Sequence, residues 1–263
     1  MAQTYETLLW EERGHVATLT LNRPEKKNAM SWVMFGELKR AFEAAAHDDN
    51  VRCVIVTGAG NAFCSGADLS DGANVPSSAS QMKDRMRTID AVALSLIDCP
   101  KPTIAKVTGV AAGAGCQLAL GCDLIVASKA ATFAELFVKR GLVVDFGGSW
   151  LLTRALPLHK AKELALLGET ISAIDADRLG LLNRLCDEAD VDQVTMDLAD
   201  RLAALPPRTV SLIKSNLNRA SDQTLQQTLD TEAATQALAF SSHDTTEAVA
   251  AWLEKREPRF TGH

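Results

Sequence analysis

The chain has 263 residues, of which 47% are hydrophobic and 23% are charged, and its formal net charge is -6 at pH 7. This composition excludes a disordered or fibrous protein and is sufficient for a large core. The negative charge excludes a general attraction for nucleic acid or an anionic membrane, so we expect neither as a partner. The N-terminus lacks a signal-peptide pattern, and no apolar stretch reaches the roughly 18 residues of a membrane span. We therefore expect a cytoplasmic protein.

The cysteines and histidines are scattered along the chain without a metal-binding spacing. Neither a C-x-x-C pair nor an H-E-x-x-H motif occurs. The 6 cysteines of a chain this long predict reduced, packed thiols rather than a disulfide framework. We expect no metal site.

The first part of the chain predicts a hairpin, a helix and a buried strand. Alternating residues in LLWEER and VATLTLN are typical of a β-hairpin. Ser31 is a suitable N-cap for the helix that follows. The apolar residues at helical spacing are Val33, Leu38, Ala41, Phe42 and Ala45. The run RCVIVTG predicts a buried strand, and the segment from Ser70 to Ser80 predicts a mobile loop.

The rest of the chain first alternates strands with helices and then becomes helical throughout. A second helical stripe consists of Met82, Met86, Ile89, Ala93 and Leu96. TIAKV and CDLIVAS predict strands on either side of a small-residue helix, CQLALG. This alternation predicts an α/β architecture. From Val191 onward only helices are predicted, which divides the chain into a core of residues 1–190 and a helical region of residues 191–263.

Two glycine-rich segments, FCSGADL and GVAAGAGCQ, lie where a strand leads into a helix. Glycine and alanine allow a ligand to approach the backbone, and N–H groups at a helix start are free to bind an anion. Two such segments facing each other would form an oxyanion hole. The alternative is that the glycines only permit close packing. Neither segment has the spacing of a dinucleotide-binding motif or a P-loop.

Four segments in this order and spacing resemble the crotonase superfamily of enoyl-CoA hydratases and isomerases: LNRPEKKNAMS, VIVTGAGNAFCSGADLS, AKVTGVAAGAGCQLALGCDLIVAS and GGSWLLTRAL. The resemblance extends from the first hairpin to the terminal EKREPRF. It implies a spiral of β-β-α units with a helical C-terminal trimerisation region, assembled as a homotrimer or a hexamer. It also implies an acyl-CoA thioester substrate without a separate cofactor, because CoA is part of that substrate.

The resemblance also implies which residues bind the thioester. Its carbonyl oxygen would lie between the backbone N–H groups of Ala67 and Ala114, the latter replacing the glycine that is usual in the family. The CoA moiety would lie against the loop around Arg23 and against the backbone of Ser65 to Leu69 in the first glycine-rich segment. The implied substrate-binding residues are Lys26, Ala29, Ser65, Gly66, Asp68, Leu69, Gly113, Gln117 and Phe137. Lys255 and Phe260 would reach the CoA of a neighbouring subunit.

Two carboxylates that the family uses for hydration are missing from this sequence. The matching positions hold Gln117 and Phe137, neither of which exchanges a proton near neutral pH. Gln117 could instead orient a water or the thioester, or form a buried hydrogen bond to nearby backbone. Glu135 is a second candidate acid or base, because in an extended segment it would share a face with Phe137.

Asp145 is the leading candidate for a catalytic base. In the isomerase branch of the superfamily an aspartate lies in a stretch similar to GLVVDFGGSWLL, and an isomerase needs only one proton carrier. The neighbours Val143, Val144 and Phe146 predict an apolar setting that raises its pKa. The alternative is that Asp145 caps the helix that begins near Gly147.

Three functional hypotheses follow. The first is an enoyl-CoA isomerase with Asp145 as proton carrier. The second is a hydratase or another lyase of the same fold, in which Glu135 or Asp145 is the sole acid or base. The third is an acyl-CoA-binding trimer without catalytic activity. The acyl group stays open. The candidates for its pocket are the loop from Ser70 to Ser80, Met82, Met86, Ile89 and Trp150.

Overall fold

The computed structural model describes residues 4–71 and 78–263. The strands are β1 Leu8–Arg13, β2 Val16–Leu21, β3 Cys53–Gly58, β4 Thr103–Val107, β5 Val110–Ala112, β6 Leu124–Ser128, β7 Thr132–Ala134, β8 Thr170–Ser172 and β9 Arg184–Cys186. The helices are α1 Trp32–His47, α2 Ala79–Ile97, α3 Ala114–Gly121, α4 Gly148–Ala155, α5 Leu158–Leu167, α6 Ala173–Arg178, α7 Val191–Ala203, α8 Pro207–Ala220, α9 Leu225–Phe240 and α10 His243–Glu254.

The larger sheet contains six strands in the order β1-β2-β3-β4-β6-β9. β1 and β2 form the predicted antiparallel hairpin, and the remaining neighbours are parallel. The smaller sheet has the order β5-β7-β8. β5 follows β4 after a two-residue turn that contains Thr108 and Gly109, so the chain leaves the large sheet and enters the small one directly.

Helices cover both faces of the larger sheet, which is why its central strands are apolar throughout. On one face, Val54 and Val56 of β3 pack with Leu38 and Phe42 of α1. On the other face, Val16, Cys53, Ile55, Ile104 and Val126 pack with Val191, Ala199 and Ala203 of α7. α7 is thus part of the helical region 191–263 and also packs against the core sheet. The division of the chain at residue 190 stays a prediction.

The sequence locates α1 correctly, with one error on its buried face. The Ser31 hydroxyl accepts a hydrogen bond of 3.2 Å from the Met34 N–H, as expected of an N-cap. Leu38, Phe42 and the two alanines of the stripe are buried, but Val33 is 45% exposed. Met34 and Phe35 occupy the buried side of the first turn instead.

The predicted mobile loop at Ser70–Ser80 lies mostly outside the described residues. α2 begins inside that segment, because the Ser78 hydroxyl caps it by accepting from the Gln81 N–H. Of the predicted stripe on α2, Ile89, Ala93 and Leu96 are buried, whereas Met82 is 39% exposed.

Helices α8 to α10 extend the chain away from the core and expose large apolar side chains. Leu217, Leu225 and Trp252 are 71%, 76% and 77% exposed in a single chain. α8 is attached to the core by an ion pair of 2.7 Å between Lys214 and Asp123 and by a hydrogen bond from Asn218 to the Ile97 carbonyl.

Candidate active site

The two glycine-rich segments lie in direct contact at the carboxyl ends of β3 and β4. The Cys64 N–H donates to the Val110 carbonyl at 3.0 Å, and the Ala112 N–H donates to the Cys64 carbonyl at 2.9 Å. A Cβ atom on Gly115 would lie 2.4 Å from the Cys64 carbonyl oxygen, so only glycine fits there. The contact places the start of α3 against the loop that contains Ala67.

The backbone N–H groups of Ala67 and Ala114 belong to these two neighbouring loops. Ala114 is the first residue of α3 and follows Gly113, whose φ of 53° favours glycine. Gly66, with φ of 104°, lies so close that a Cβ on it would be 3.7 Å from the Ala114 nitrogen. In residues 4–71 and 78–263, neither N–H group has a hydrogen-bond acceptor. Both are therefore available to an external oxygen atom.

The loop before α1 and the loop after β3 are joined by several hydrogen bonds. The Ser65 N–H donates to the Lys27 carbonyl at 3.0 Å, and Met30 pairs with Ala67 in an isolated parallel bridge. The Arg23 guanidinium donates to the Asp68 carboxylate at 2.8 Å and to the Ala29 carbonyl at 2.6 Å. The loops proposed for CoA are therefore adjacent.

Among the predicted CoA-binding residues, Asp68 has an evident structural role. Hydrogen bonds from Ser70 and Arg23 lower the pKa of its carboxyl group to about 2, so it stays ionised. Lys26 is exposed, with its Nζ 3.2 Å from the Ser70 hydroxyl. Ala29 is buried and Leu69 is 66% exposed.

Gln117 lies fully buried on α3 and hydrogen-bonds to Glu135. Its Nε2 donates to Glu135 Oε2 at 2.7 Å. Its Oε1 has no hydrogen-bond partner among the described residues, and neither has Glu135 Oε1. The side-chain partner of Gln117 is thus a carboxyl group and not the nearby backbone considered from the sequence.

Glu135 and Phe137 do not share a face, because the segment between them is not extended. β7 ends at Ala134, and Phe137 starts a 3-10 turn, Val138–Arg140, with φ of -53°. The buried Phe137 ring lies beside Gly113, where a Cβ would be 3.9 Å from Phe137 Cζ. Phe137 therefore borders the N-terminus of α3, whereas Glu135 lies against Cys116 and Gln117.

Burial, and to a smaller extent the nearby charge of Asp145, raise the pKa of Glu135 to about 7. Hydrogen bonds from the Cys116 thiol and from Gln117 act in the opposite direction. Glu135 is 2% exposed, and the cavity beside it has a volume of about 10 Å³, room for a single water at most.

Asp145 does not cap the helix that follows it. The N-cap of α4 is Gly147, and no side chain accepts from the first turn of that helix. The Asp145 Oδ1 atom is buried without a hydrogen-bond partner among the described residues. Burial raises the pKa of Asp145 to about 6, with a further contribution from the charge of Asp90 on α2. An unpartnered carboxyl group with this pKa is suited to accept a proton near neutral pH.

The apolar surroundings of Asp145 differ in part from those expected. Phe146 is 1% exposed and Val144 is half-buried, but Val143 is 84% exposed and contributes little to the desolvation. Asp90 was not indicated by the sequence, since a charged residue on a helix is ordinarily solvated. Its position near Asp145 follows only from the packing of α2 against the turn.

Asp145 lies in a tight turn with unusual backbone geometry. The Gly148 N–H donates to the Asp145 carbonyl at 2.8 Å. Between them, Phe146 has φ of 53° and Gly147 has φ of 76°. A left-handed conformation is rare for an aromatic residue and is maintained here by the burial of the Phe146 ring. The turn is therefore defined by packing and not by local preference.

A cleft of about 640 Å³ lies between α2, α4 and α8. Its lining includes Leu94, Ile97 and Trp150, together with Asp90 and Gly147, which also surround Asp145. Of the residues predicted to form the acyl pocket that the structure describes, only Trp150 lines this cleft. The loops that contain Ala67 and Ala114 do not line it, so among the described residues the cleft adjoins the candidate site at the Asp145 turn.

The described residues contain no group of three or more side chains that could hold a metal ion. All six cysteines are free thiols. In the part of the chain that the structure describes, no helix combines the length and apolar character needed to cross a bilayer.

Comparison with known proteins identifies close relatives along the whole chain. Residues 11–263 match the family model described as enoyl-CoA hydratase/isomerase. A 1,2-epoxyphenylacetyl-CoA isomerase from Escherichia coli K12 is 41% identical, over 95% of this chain and 96% of that protein. A trans-2-decenoyl-[acyl-carrier-protein] isomerase from Streptococcus mutans is 31% identical, over 98% of this chain and 99% of that protein. The chain is also similar to a crystal structure of an enoyl-CoA hydratase from Mycobacterium smegmatis. The sequence identity is 34% and the TM-score is 0.92, and the match covers 97% of this chain and 99% of that one. The crotonase fold expected from the sequence is thereby confirmed.

The glycine at position 148 generates a testable prediction. A Cβ atom there would lie 2.4 Å from Gln117 Cδ and 2.5 Å from Val144 Cγ1. Gly148→Ala must displace the buried amide, and we expect it to lower the free energy of unfolding by about 1–3 kcal/mol. Gly36→Ala is the matched control, since nothing lies within 4 Å of a Cβ at that site in α1. The control is expected to be neutral or stabilising in denaturant unfolding, and equal stability of the two variants would contradict the packing described.

Proposed function

Because the chain belongs to the enoyl-CoA hydratase/isomerase family of acyl-CoA-processing enzymes, we propose that it is an enoyl-CoA isomerase with Asp145 as its proton carrier. The single observation that supports this role best is the buried Asp145 Oδ1 atom, which has no partner among the described residues. Asp145 as a residue is only half-buried, but a buried carboxyl oxygen without a structural partner is costly and is typical of a catalytic site.

In the proposed reaction, the Asp145 carboxylate removes a proton from Cα of a 3-enoyl thioester. The C–H electron pair forms a Cα–C(carbonyl) double bond, and the carbonyl oxygen becomes the oxyanion of a dienolate. The N–H groups of Ala67 and Ala114 would stabilise this oxyanion, each by about 3 kcal/mol in the transition state. Protonated Asp145 then returns the proton to Cγ, which leaves the double bond between Cα and Cβ and regenerates the carboxylate.

The proposed binding mode places CoA along the two joined loops. Lys26 and the backbone from Ser65 to Leu69 would contact the nucleotide, while Gly113 allows close approach of the thioester. Gln117 and Phe137 would border the acyl group near the oxyanion hole. No separate cofactor is needed, since the proton starts and ends on the same substrate.

Hydration is the second candidate, because relatives include enoyl-CoA hydratases. Glu135 and Asp145 could in principle supply two carboxyl groups, and their charges interact. Against this, Gln117 and Phe137 occupy the positions that match the two family carboxylates, and Glu135 adjoins only a very small cavity. The third candidate is a protein that binds acyl-CoA without turnover. It gives no role to the desolvated Asp145 carboxyl group.

The substitution Asp145→Asn tests the proposed role directly. It removes the titrating group while retaining its shape, and no cap is lost because Asp145 caps no helix. We expect the rate of 3-enoyl-CoA isomerisation to fall at least about 100-fold with an unchanged melting temperature. Asp84→Asn, at an exposed position on α2, is the control and should keep full activity. Full turnover by Asp145→Asn would exclude Asp145 as the proton carrier.

The raised pKa of Asp145 predicts the acid side of the pH profile. A base acts only when ionised, so kcat/KM should decline as the pH falls through about 6. Initial rates across a pH series would locate this inflection. If kcat/KM instead declines around a midpoint of about pH 4, the range of an ordinary aspartate, the Asp145 carboxyl group is not desolvated in the free enzyme.

The exposed apolar faces of the C-terminal helices predict a trimer or a hexamer. Leu217, Leu225 and Trp252 are exposed in one chain and would be covered in an assembly. Size-exclusion chromatography with light scattering should give a mass of three or six chains. A stable monomer at micromolar concentration would contradict this prediction.

A further inference from the structure

Glu135, Gln117 and Gly148 form a chain of contacts that leads from the buried interior to the turn containing Asp145. Glu135 Oε2 accepts the 2.7 Å hydrogen bond from Gln117 Nε2. The same Gln117 amide lies beneath Gly148, where a Cβ would be 2.6 Å from Nε2. Gly148 in turn donates its N–H to the Asp145 carbonyl. Glu135 therefore orients the amide on which the turn packs.

We propose that Glu135 is a positioning residue, which acts through Gln117 to hold the Asp145–Gly148 turn in the conformation that presents the Asp145 carboxyl group. This inference rests on the proposed role of Asp145 as the base. It assigns to Glu135 a different role from direct proton transfer.

The surroundings of Glu135 support an indirect role. The carboxyl group is 2% exposed, and the adjacent cavity of about 10 Å³ is lined by Leu120, Phe133, Leu152 and other apolar side chains. An acyl chain does not fit in this space. Glu135 can therefore influence the reaction through the groups packed against it and through its charge, but not by contact with the acyl chain.

The geometry of the turn explains why it needs such support. Phe146 and Gly147 both have positive φ, a combination that an isolated segment would leave readily. The Gln117 amide fills the space under Gly148 and blocks inward collapse of the turn. Without its hydrogen bond to Glu135, the Gln117 amide is free to rotate, and the Asp145 carboxyl group loses its fixed position.

The charged groups near Glu135 and Asp145 make the positioning role of Glu135 dependent on pH. Asp145 and the Cys116 thiol face Glu135, and Asp90 faces Asp145 from α2. The charge of Asp145 raises the pKa of Glu135, so an ionised Asp145 disfavours ionisation of Glu135. At higher pH the ionised Glu135 adds a second negative charge near a site that must stabilise a dienolate. We expect an alkaline decline of kcat on this account.

The test of positioning is a double-mutant cycle on the full-length enzyme with 3-enoyl-CoA. Glu135→Leu and Gln117→Leu each break the same hydrogen bond, so each should lower kcat at least about tenfold, and Glu135→Leu should leave KM nearly unchanged. The double variant should be no slower than the slower single variant, because the interaction is lost only once. Unchanged kcat in both folded single variants, or losses that multiply in the double variant, would overturn the proposal. Melting temperatures and circular dichroism establish that each variant is folded at the assay temperature.

The conservative variant Glu135→Gln separates positioning from proton transfer. Its side-chain carbonyl still accepts from Gln117, so kcat near pH 6 should recover to within about threefold of the unmodified enzyme. Because it cannot ionise, the alkaline decline should vanish while the acid inflection stays. If Glu135→Gln is inactive and Asp145→Asn is active, Glu135 is the base, and both proposals are wrong. If Asp145→Asn is inactive and the two leucine variants keep full kcat, only the positioning role is wrong.

Discussion

The close approach of α3 to the loop after β3 is the contact on which the candidate site depends. At Gly115 a side chain would collide with the Cys64 carbonyl oxygen, and at Gly66 it would collide with that of Ala112. Because both positions are glycine, two free backbone N–H groups come to lie in neighbouring loops. The larger sheet provides the necessary rigidity, since β3 and β4 are adjacent parallel strands buried on both faces. Every proposed catalytic step requires this arrangement to exist before substrate binds.

Buried carboxyl groups are the second physical feature of the site. Asp145 and Glu135 are both desolvated, and their charges oppose each other, so the region favours a state with a single negative charge. In the proposed mechanism this charge is first on Asp145 and then on the thioester oxygen. The electrostatics thus match a reaction that moves one proton within one substrate.

Much of the fold was predictable from the sequence because long periodic segments and caps act locally. The Ser31 cap, the β1–β2 hairpin and the buried β3 strand follow from such local patterns. The strands β5, β7 and β8 were not predicted, since three residues are too few to show an alternation. Their formation depends on pairing between distant segments.

The candidate site was predictable in its residues and less so in its contacts. Asp145 was identified from its setting, yet the exposure of Val143 and the proximity of Asp90 depend on how α2 and the turn pack. Similarly, Gln117 and Glu135 are 18 residues apart in the sequence, and no local pattern indicates their hydrogen bond. Sequence periodicity specifies which face of an element is buried, whereas the partner of a buried polar group is set by tertiary structure.

The most direct test of the central claim is a paired assay of the unmodified protein with 3-enoyl-CoA and 2-enoyl-CoA of the same acyl group. Chromatographic separation with mass detection would distinguish the isomer from the hydrated product. The account predicts rapid formation of 2-enoyl-CoA from the first substrate and very slow addition of water to the second. Rapid hydration of 2-enoyl-CoA, or no conversion of either compound across a range of acyl groups, would contradict it.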